Sequence, residues 1–289
     1  MKHMAPYQIF FPFGVLAALL GVGFWLVPDQ VIFGTPIQWV HSRLMVGGFL
    51  WGFITGFLMT AVPKMTGTAG ATRTEMLTAA GLLSLSLLTS FFADGRWFQA
   101  SQILVILFMM SFAFPRIGRR AKPAPVFFSH VALALILALS GRVFAFMGNS
   151  WMGFFLADVG VVLLLVLGIG MRFYSFLSGL PSEFEQAPVV HQRGFHFLGI
   201  ALSLFLVLAG WLQAPWAYGG LFVITAAYLV FVWKVFRRSS RPSALKWSVR
   251  LVAFSIPLSF LFCAFFPGLY LAGLHVLFIG VFSLITFSV

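Results

Sequence analysis

Three properties of this chain predict an all-α, polytopic transmembrane helix bundle of about ten spans. Apolar residues make up 61% of the 289 positions and charged residues only 8%, where a soluble domain carries about 25% charged residues. The apolar residues fall in runs of about 20, the length that crosses a hydrocarbon core of ~30 Å. The basic residues sit in the short gaps between those runs. When the gaps are assigned alternately to two sides, every lysine and arginine except Arg43, Arg96 and Arg142 falls on one side. The net charge of +12 is therefore a topology signal that places both termini in the cytoplasm. No nucleic-acid partner is expected, and membrane lipid is.

The spans are read at 10–27, 39–62, 76–93, 97–114, 126–146, 151–171, 194–211, 216–236, 249–266 and 268–289. The first has a basic start like a secretory signal, but its apolar run is too long and no small-x-small cleavage site follows, so it is kept as a span. The second begins with His41 and Arg43, is rich in glycine (Gly47, Gly48, Gly52, Gly56) and ends at a Pro63–Lys64 turn. Glycines at such spacing let helices approach closely in lipid. Spans three to eight alternate with short gaps, and Trp25, Trp39, Trp97, Trp151, Trp211 and Trp216 fall near span ends, as an interfacial aromatic belt requires. Pro257 is the clear mid-span proline of span nine, and Cys263, the chain's single cysteine, lies there too. It reads as a small apolar core residue. With no C-x-x-C-H motif, covalent c-type haem attachment is excluded. The tenth span stops at Val289 without a polar flank. That ending predicts a chain cut short of about two further spans, or a shortened relative ending at the interface. The gaps are too short for a soluble domain, so residues 1–289 read as one integral membrane domain. Segment 172–193, with Pro181, Glu183, Glu185 and Pro188, is its one irregular stretch.

The stretch from Trp39 to Gly67 resembles the NnrS family of bacterial membrane proteins. Gly56-Phe57-Leu58-Met59-Thr60-Ala61-Val62-Pro63-Lys64-Met65-Thr66-Gly67 follows the family's G-F-L-L-T-A-V-P-N-W-T-G closely. Counting back from Pro63, His41 and Met45 match the first histidine and the methionine of its W-H-x-H-E-M motif. Arg43 and Leu44 stand where the family has a second histidine and a glutamate. Leu274-His275-Val276-Leu277, with Gly280 and Thr286, looks like the family's L-H-A-L helix. The run from Gly170 to Ser178 is similar to its G-G-R-V-I-P-F-F-T segment. The resemblance implies a protein of the bacterial cytoplasmic membrane that carries haem and copper and belongs to nitric oxide metabolism.

Ionisable groups inside a span are costly and mark functional sites. In the alternating topology, His41, Arg43, Arg142, Asp158 and His275 all fall in the outer leaflet zone, with His275 about 10 Å below the surface at 1.5 Å per residue. Such groups should face one another rather than lipid. Joined to the resemblance, this predicts a haem b near the outer face, with His41 and His275 as candidate axial ligands. Arg43, Arg142 or Arg96 would neutralise its propionates, since guanidinium suits carboxylates. The plainer reading makes Arg142 and Asp158 a structural ion pair. Met45 lies one turn after His41, and a thioether beside an imidazole suits copper. His130, His191 and His196 read as interfacial side chains on the cytoplasmic side.

The function expected is thus an NnrS-like haem protein linked to nitric oxide metabolism or resistance, with nitric oxide as its small-molecule partner. The residues do not say whether it turns the gas over, traps it or senses it. The rival is a small-molecule secondary transporter with an outer-facing polar site. That rival calls for interrupted spans at corresponding positions of two repeats.

Overall fold

The computed structural model describes residues 4–26, 31–180, 189–237 and 244–283. Among them, ten helices coincide one for one with the ten predicted spans. They are α1 (Tyr7–Gly23), α2 (Ile37–Thr66), α3 (Arg73–Thr89), α4 (Gly95–Gly118), α5 (Phe128–Phe146), α6 (Ser150–Ser178), α7 (Val189–Leu212), α8 (Pro215–Val232), α9 (Ala244–Phe265) and α10 (Pro267–Ser283). All but α3 and α10 are long and apolar enough to cross a membrane. A two-residue hairpin, β1 (Val31–Ile32) with β2 (Thr35–Pro36), leads into α2. Thr286, the segment 181–188 and the end of the tenth span lie outside the described residues, as does the side chain of His191.

Helix ends follow local chemistry. At the start of α3, Thr72 Oγ1 accepts the Glu75 N–H while the Glu75 carboxylate accepts the Thr72 N–H, a capping box that satisfies two otherwise orphan donors. Asp94 caps α4 through the Arg96 N–H. The Pro63–Lys64 turn expected to end span two is not an end. The helix runs through Pro63 to Thr66 and stops at Gly67, whose φ of +69° is left-handed. Glycine takes that conformation without the Cβ penalty, and it sets the true stop. The segment 172–193 is likewise irregular only in part, because α6 continues to Ser178 and ends at Gly179, φ +64°.

Among the described residues, four helices contain a wide π-type turn: α2 at Leu44–Leu50, α6 at Phe154–Gly160, α8 at Tyr228–Val232 and α10 at Phe278–Ser283. Such turns add a residue to the helical repeat and often accompany functional sites.

The chain divides into two compact units. Unit one holds Met1–Ala124 and Leu139–Ser150; unit two holds Pro125–Ala138 and Trp151–Val289. Within unit one, α2 is largely buried, packed by α1, α3 and α4. Its contact with α1 depends on small residues. A Cβ on Gly52 would stand 3.0 Å from the Gly14 Cα, and one on Gly48 would stand 2.6 Å from the Ala17 Cβ. The two backbones touch there, as close helix packing in lipid requires. Within unit two, α6 is the largely buried helix; its wide turn packs on α7 and its later turns on α9. The outward faces carry Leu16, Leu19 and Val22 of α1 and Phe197, Ile200 and Leu204 of α7, an apolar surface suited to lipid. Trp25, Trp39, Trp97, Trp211 and Trp216 are exposed at helix ends.

Candidate functional site

In unit one, the first turns of α2 spread their side chains in two directions. His41 turns toward α1, where its Nδ1–H donates to the Gly21 carbonyl at 2.9 Å. Gly21 lies in the last turn of α1, whose carbonyls have no helical partner of their own. The bond fixes the tautomer and directs Nε2 away, and Nε2 has no hydrogen-bond partner among the described residues. Trp25 sits edge-on to the imidazole at 5.6 Å between centroids. Met45, one turn on, faces the same glycine, with Sδ 3.2 Å from where a Gly21 Cβ would be. His41 and Met45 therefore converge on Gly21.

Arg43 turns the other way. It is only 6% exposed, and its Nη1 donates to the carbonyls of Ser90 at 3.2 Å and Phe92 at 2.7 Å. These are orphan carbonyls just beyond the C-terminus of α3, where a cation also complements the helix dipole. The bare Cα of Gly95 makes room, since a Cβ there would lie 2.8 Å from the Arg43 Nη2. Arg43 and Arg142 both approach the Phe98 ring, at 5.8 and 5.4 Å from its centroid, and Arg142 Nη1 donates to Gln99 Oε1 at 3.2 Å. Sequence reasoning placed Arg43 with His41; the structure separates them onto two faces of α2. Arg96 follows the Asp94 cap at the start of α4. Behind Phe98, Gln102 is fully buried and donates to Ser86 Oγ and to the Gly47 carbonyl at 3.4 Å.

In unit two, His275 lies on α10 and is exposed. Its Nδ1–H donates to the Leu271 carbonyl one turn back at 2.7 Å, so Nε2 again points away without a partner among the described residues. The start of α6 packs on α10 through Trp151 against Tyr270, at 4.9 Å, and Phe154 against Phe278, at 5.9 Å. Trp151 Nε1 is buried with no acceptor among the described residues. Asp158 is half-buried on the wide turn of α6. The expected Arg142–Asp158 pair draws one residue from each unit. Cys263 is buried, with its thiol directed at the Tyr270 carbonyl at 3.6 Å.

His130 departs from the sequence reading. It is not an interfacial side chain but fully buried. Its ring stacks on Phe195 at 4.0 Å, Nε2 bonds the Tyr228 hydroxyl, and Nδ1 lies 3.3 Å from Ser129 Oγ. His196, half-buried, reaches the same Ser129 oxygen through Nδ1 at 2.8 Å. A histidine two residues after a helix start looks interfacial by position alone. The signal in the sequence was glycine: Gly168 and Gly199 leave the space the ring fills, since a Cβ on either would come within 2.8 and 2.9 Å of the His130 side chain.

Among the described residues, no three His, Cys, Asp or Glu side chains gather as a metal site. The donor chemistry nevertheless fits a haem. His41 and His275 are each oriented by a carbonyl bond that leaves one imidazole nitrogen to ligate, the usual arrangement behind a metal-bound histidine. Trp151 Nε1 is an unused buried donor of the kind a propionate accepts from.

A model of the family described as NnrS protein matches the chain over residues 3–289. No curated protein and no solved structure matches the chain.

Proposed function

The chain belongs to the NnrS family, and on that footing we propose that it is a haem protein of the bacterial cytoplasmic membrane, one integral domain, that handles nitric oxide. A bound haem b would supply iron able to take the gas as a ligand. The carrying observation is the matched state of His41 and His275, each with Nδ1–H given to a backbone carbonyl and Nε2 without a hydrogen-bond partner among the described residues. Neutral imidazole in that tautomer is a good iron ligand. Each histidine is an axial-ligand candidate in its own unit, and Trp151 and Arg142 offer donors for propionates. Arg43, with Nη1 given to two carbonyls, serves the fold before any propionate. The convergence of His41 and Met45 on Gly21 favours copper as the alternative occupant at His41, imidazole and thioether being suited to Cu(I); the one unbonded nitrogen of His41 serves iron or copper, not both.

Detergent-purified protein, expressed with haem supplied, is expected to show a Soret band whose pigment extracts into acid acetone. His275→Ala or His41→Ala should abolish or shift the band, according to which of the two histidines holds the iron. Folded wild-type protein without a Soret band would sink the reading. Metal analysis of wild type against Met45→Leu tests copper.

The transporter reading draws on one observation. The long buried helices α2 and α6 each carry a seven-residue wide turn near the start and end at a left-handed glycine. Interrupted helices in corresponding positions are what a repeat-built transporter presents. A haem-free, folded protein would turn attention there.

A further inference from the structure

The connection between α1 and α2 carries a residue at odds with its own backbone. β1 and β2 pair Val31 with Pro36 and Ile32 with Thr35, which leaves Phe33 and Gly34 as a two-residue turn with φ of +49° and +79°. Positive φ at both positions is the pattern of a type I′ turn, which favours Asn, Asp or Gly. A bulky aromatic residue there is an outlier. Packing inside unit one does not account for the ring. Phe33 is 85% exposed, and its ring contact among the described residues is the edge of Phe91, at 6.1 Å.

The hairpin is held by its other face. Thr35 is buried, and its hydroxyl donates to the Phe91 carbonyl, just past the C-terminus of α3, at 2.7 Å. Ile37, where α2 begins, is buried as well. Successive strand residues point to opposite faces, so Val31 and Pro36 turn away from that attachment, and both are exposed. We propose that this hairpin is an interfacial membrane anchor, with Phe33 at its tip and Val31 behind it seated at the boundary between lipid headgroups and acyl chains.

Three observations on unit one name lipid as the occupant. No ionisable side chain occurs from Val31 to Val40, so no charge in this stretch resists leaving water. The hairpin joins α1 to α2, two helices long and apolar enough to cross a membrane, and so lies where the bilayer ends. Trp25, Trp39 and Trp97 are exposed at the adjoining ends of α1, α2 and α4, and such residues settle at headgroup level. A docked protein is the weaker fit, because a stable interface takes about 800 Å² from each partner, far more than a two-residue tip and its flank present. An anchored hairpin sets the depth at which α2 starts, and with it the depth of His41 and Met45. Asn at position 33 would suit the turn better but would give up that hold. The proposal does not rest on the haem reading, and haem-free protein serves its test equally well.

The test reads the depth of single nitroxide labels by electron paramagnetic resonance, on the full chain in liposomes of phosphatidylcholine and phosphatidylglycerol. Val31→Cys reports the hairpin with the Phe33 ring in place. Leu19→Cys, on the outward face of α1, and Arg120→Cys, in the exposed α4–α5 connection, are the lipid and water references. Unsubstituted protein treated with the label gives the blank for the buried Cys263. Oxygen collects among acyl chains and a nickel chelate stays in water. The Val31 label should be reached by oxygen and shielded from the chelate, as at Leu19 and unlike Arg120. Adding Phe33→Asn, which favours the turn and so keeps the hairpin, should abolish that shielding. Chelate access at Val31 with Phe33 in place puts the hairpin in water and overturns the anchor. Shielding from both reagents means that a second copy of the chain covers it, which overturns the anchor too. So does a Val31 label that Phe33→Asn leaves unchanged.

Discussion

Glu75 closes the capping box of α3 with Thr72 and also takes Arg116 Nη2 on both carboxylate oxygens, at 2.9 and 3.1 Å. Burial pushes its carboxyl up, but the Thr72 N–H, the Arg116 guanidinium and the Thr72 hydroxyl outweigh it and hold the group below the usual range. A folded-state value lower than the unfolded one gives stability that is present above the ordinary carboxyl pKa and lost as pH falls through the folded value. The thermal midpoint should therefore drop as pH is lowered below about 4.3, by an amount worth ~1 kcal/mol or less, because the pair is partly exposed and screened. Glu75→Gln should melt lower than wild type at pH 7 and show a flatter acid profile. Equal acid profiles for the two proteins would remove Glu75 from the account. Residue chemistry of this kind was legible where a motif is local, as in Thr72-x-x-Glu75. It was not legible for Arg43, because the carbonyls it bonds arrive from Ser90 and Phe92, far along the chain. Nor was it for His130, whose burial depends on glycines in two other helices.

The crossing of α1 and α2 is where an element's character can be tested. Gly14 and Gly52 meet backbone to backbone, so Gly52→Leu must push the helices apart. Overpacking a well-filled contact costs about 1–3 kcal/mol, and a lowered thermal midpoint with retained helical circular dichroism is expected. Gly81→Ala on α3, where an added Cβ meets nothing within 4 Å, should be neutral or slightly stabilising, as alanine favours helix over glycine. Equal midpoints for Gly52→Leu and wild type would mean that the crossing is loose. All ten helices were foreseeable because span length is dictated by bilayer thickness. Their ends were less so: Pro63 reads as a stop, yet α2 runs on to Gly67, where a left-handed backbone ends it. The wide turns left no mark in composition, since Leu44–Leu50 and Phe154–Gly160 are as apolar as their flanks. Hydropathy does not encode where such turns fall.

At the scale of the whole chain, the prediction is orientation. Reporter fusions after residues 30, 95, 148, 213 and 267 should read as periplasmic, and fusions within 116–122 and 238–243 as cytoplasmic. Two or more cytoplasmic readings in the first set would overturn the alternating ten-span topology. The charge pattern that predicts it is a whole-molecule property, legible without coordinates because it is written in the gaps. The division into two compact units was not, since α5 runs unbroken through the point where they part.

One part of that charge pattern has a further bearing on how the protein lives in its membrane. In unit one, the Ala121 and Lys122 N–H groups both donate to the Thr66 carbonyl, which ties the α4–α5 connection to the foot of α2. Lys64, Arg73, Arg119, Arg120 and Lys122 are thereby gathered, exposed, at one end of the unit. Acidic phospholipid headgroups attract such a rim by about 1 kcal/mol per basic side chain near the surface. The protein therefore does not meet its bilayer as a neutral solvent. An annulus of anionic lipid on that face, a loosely held counter-ion shell that travels with the protein, is the outcome expected of such a rim.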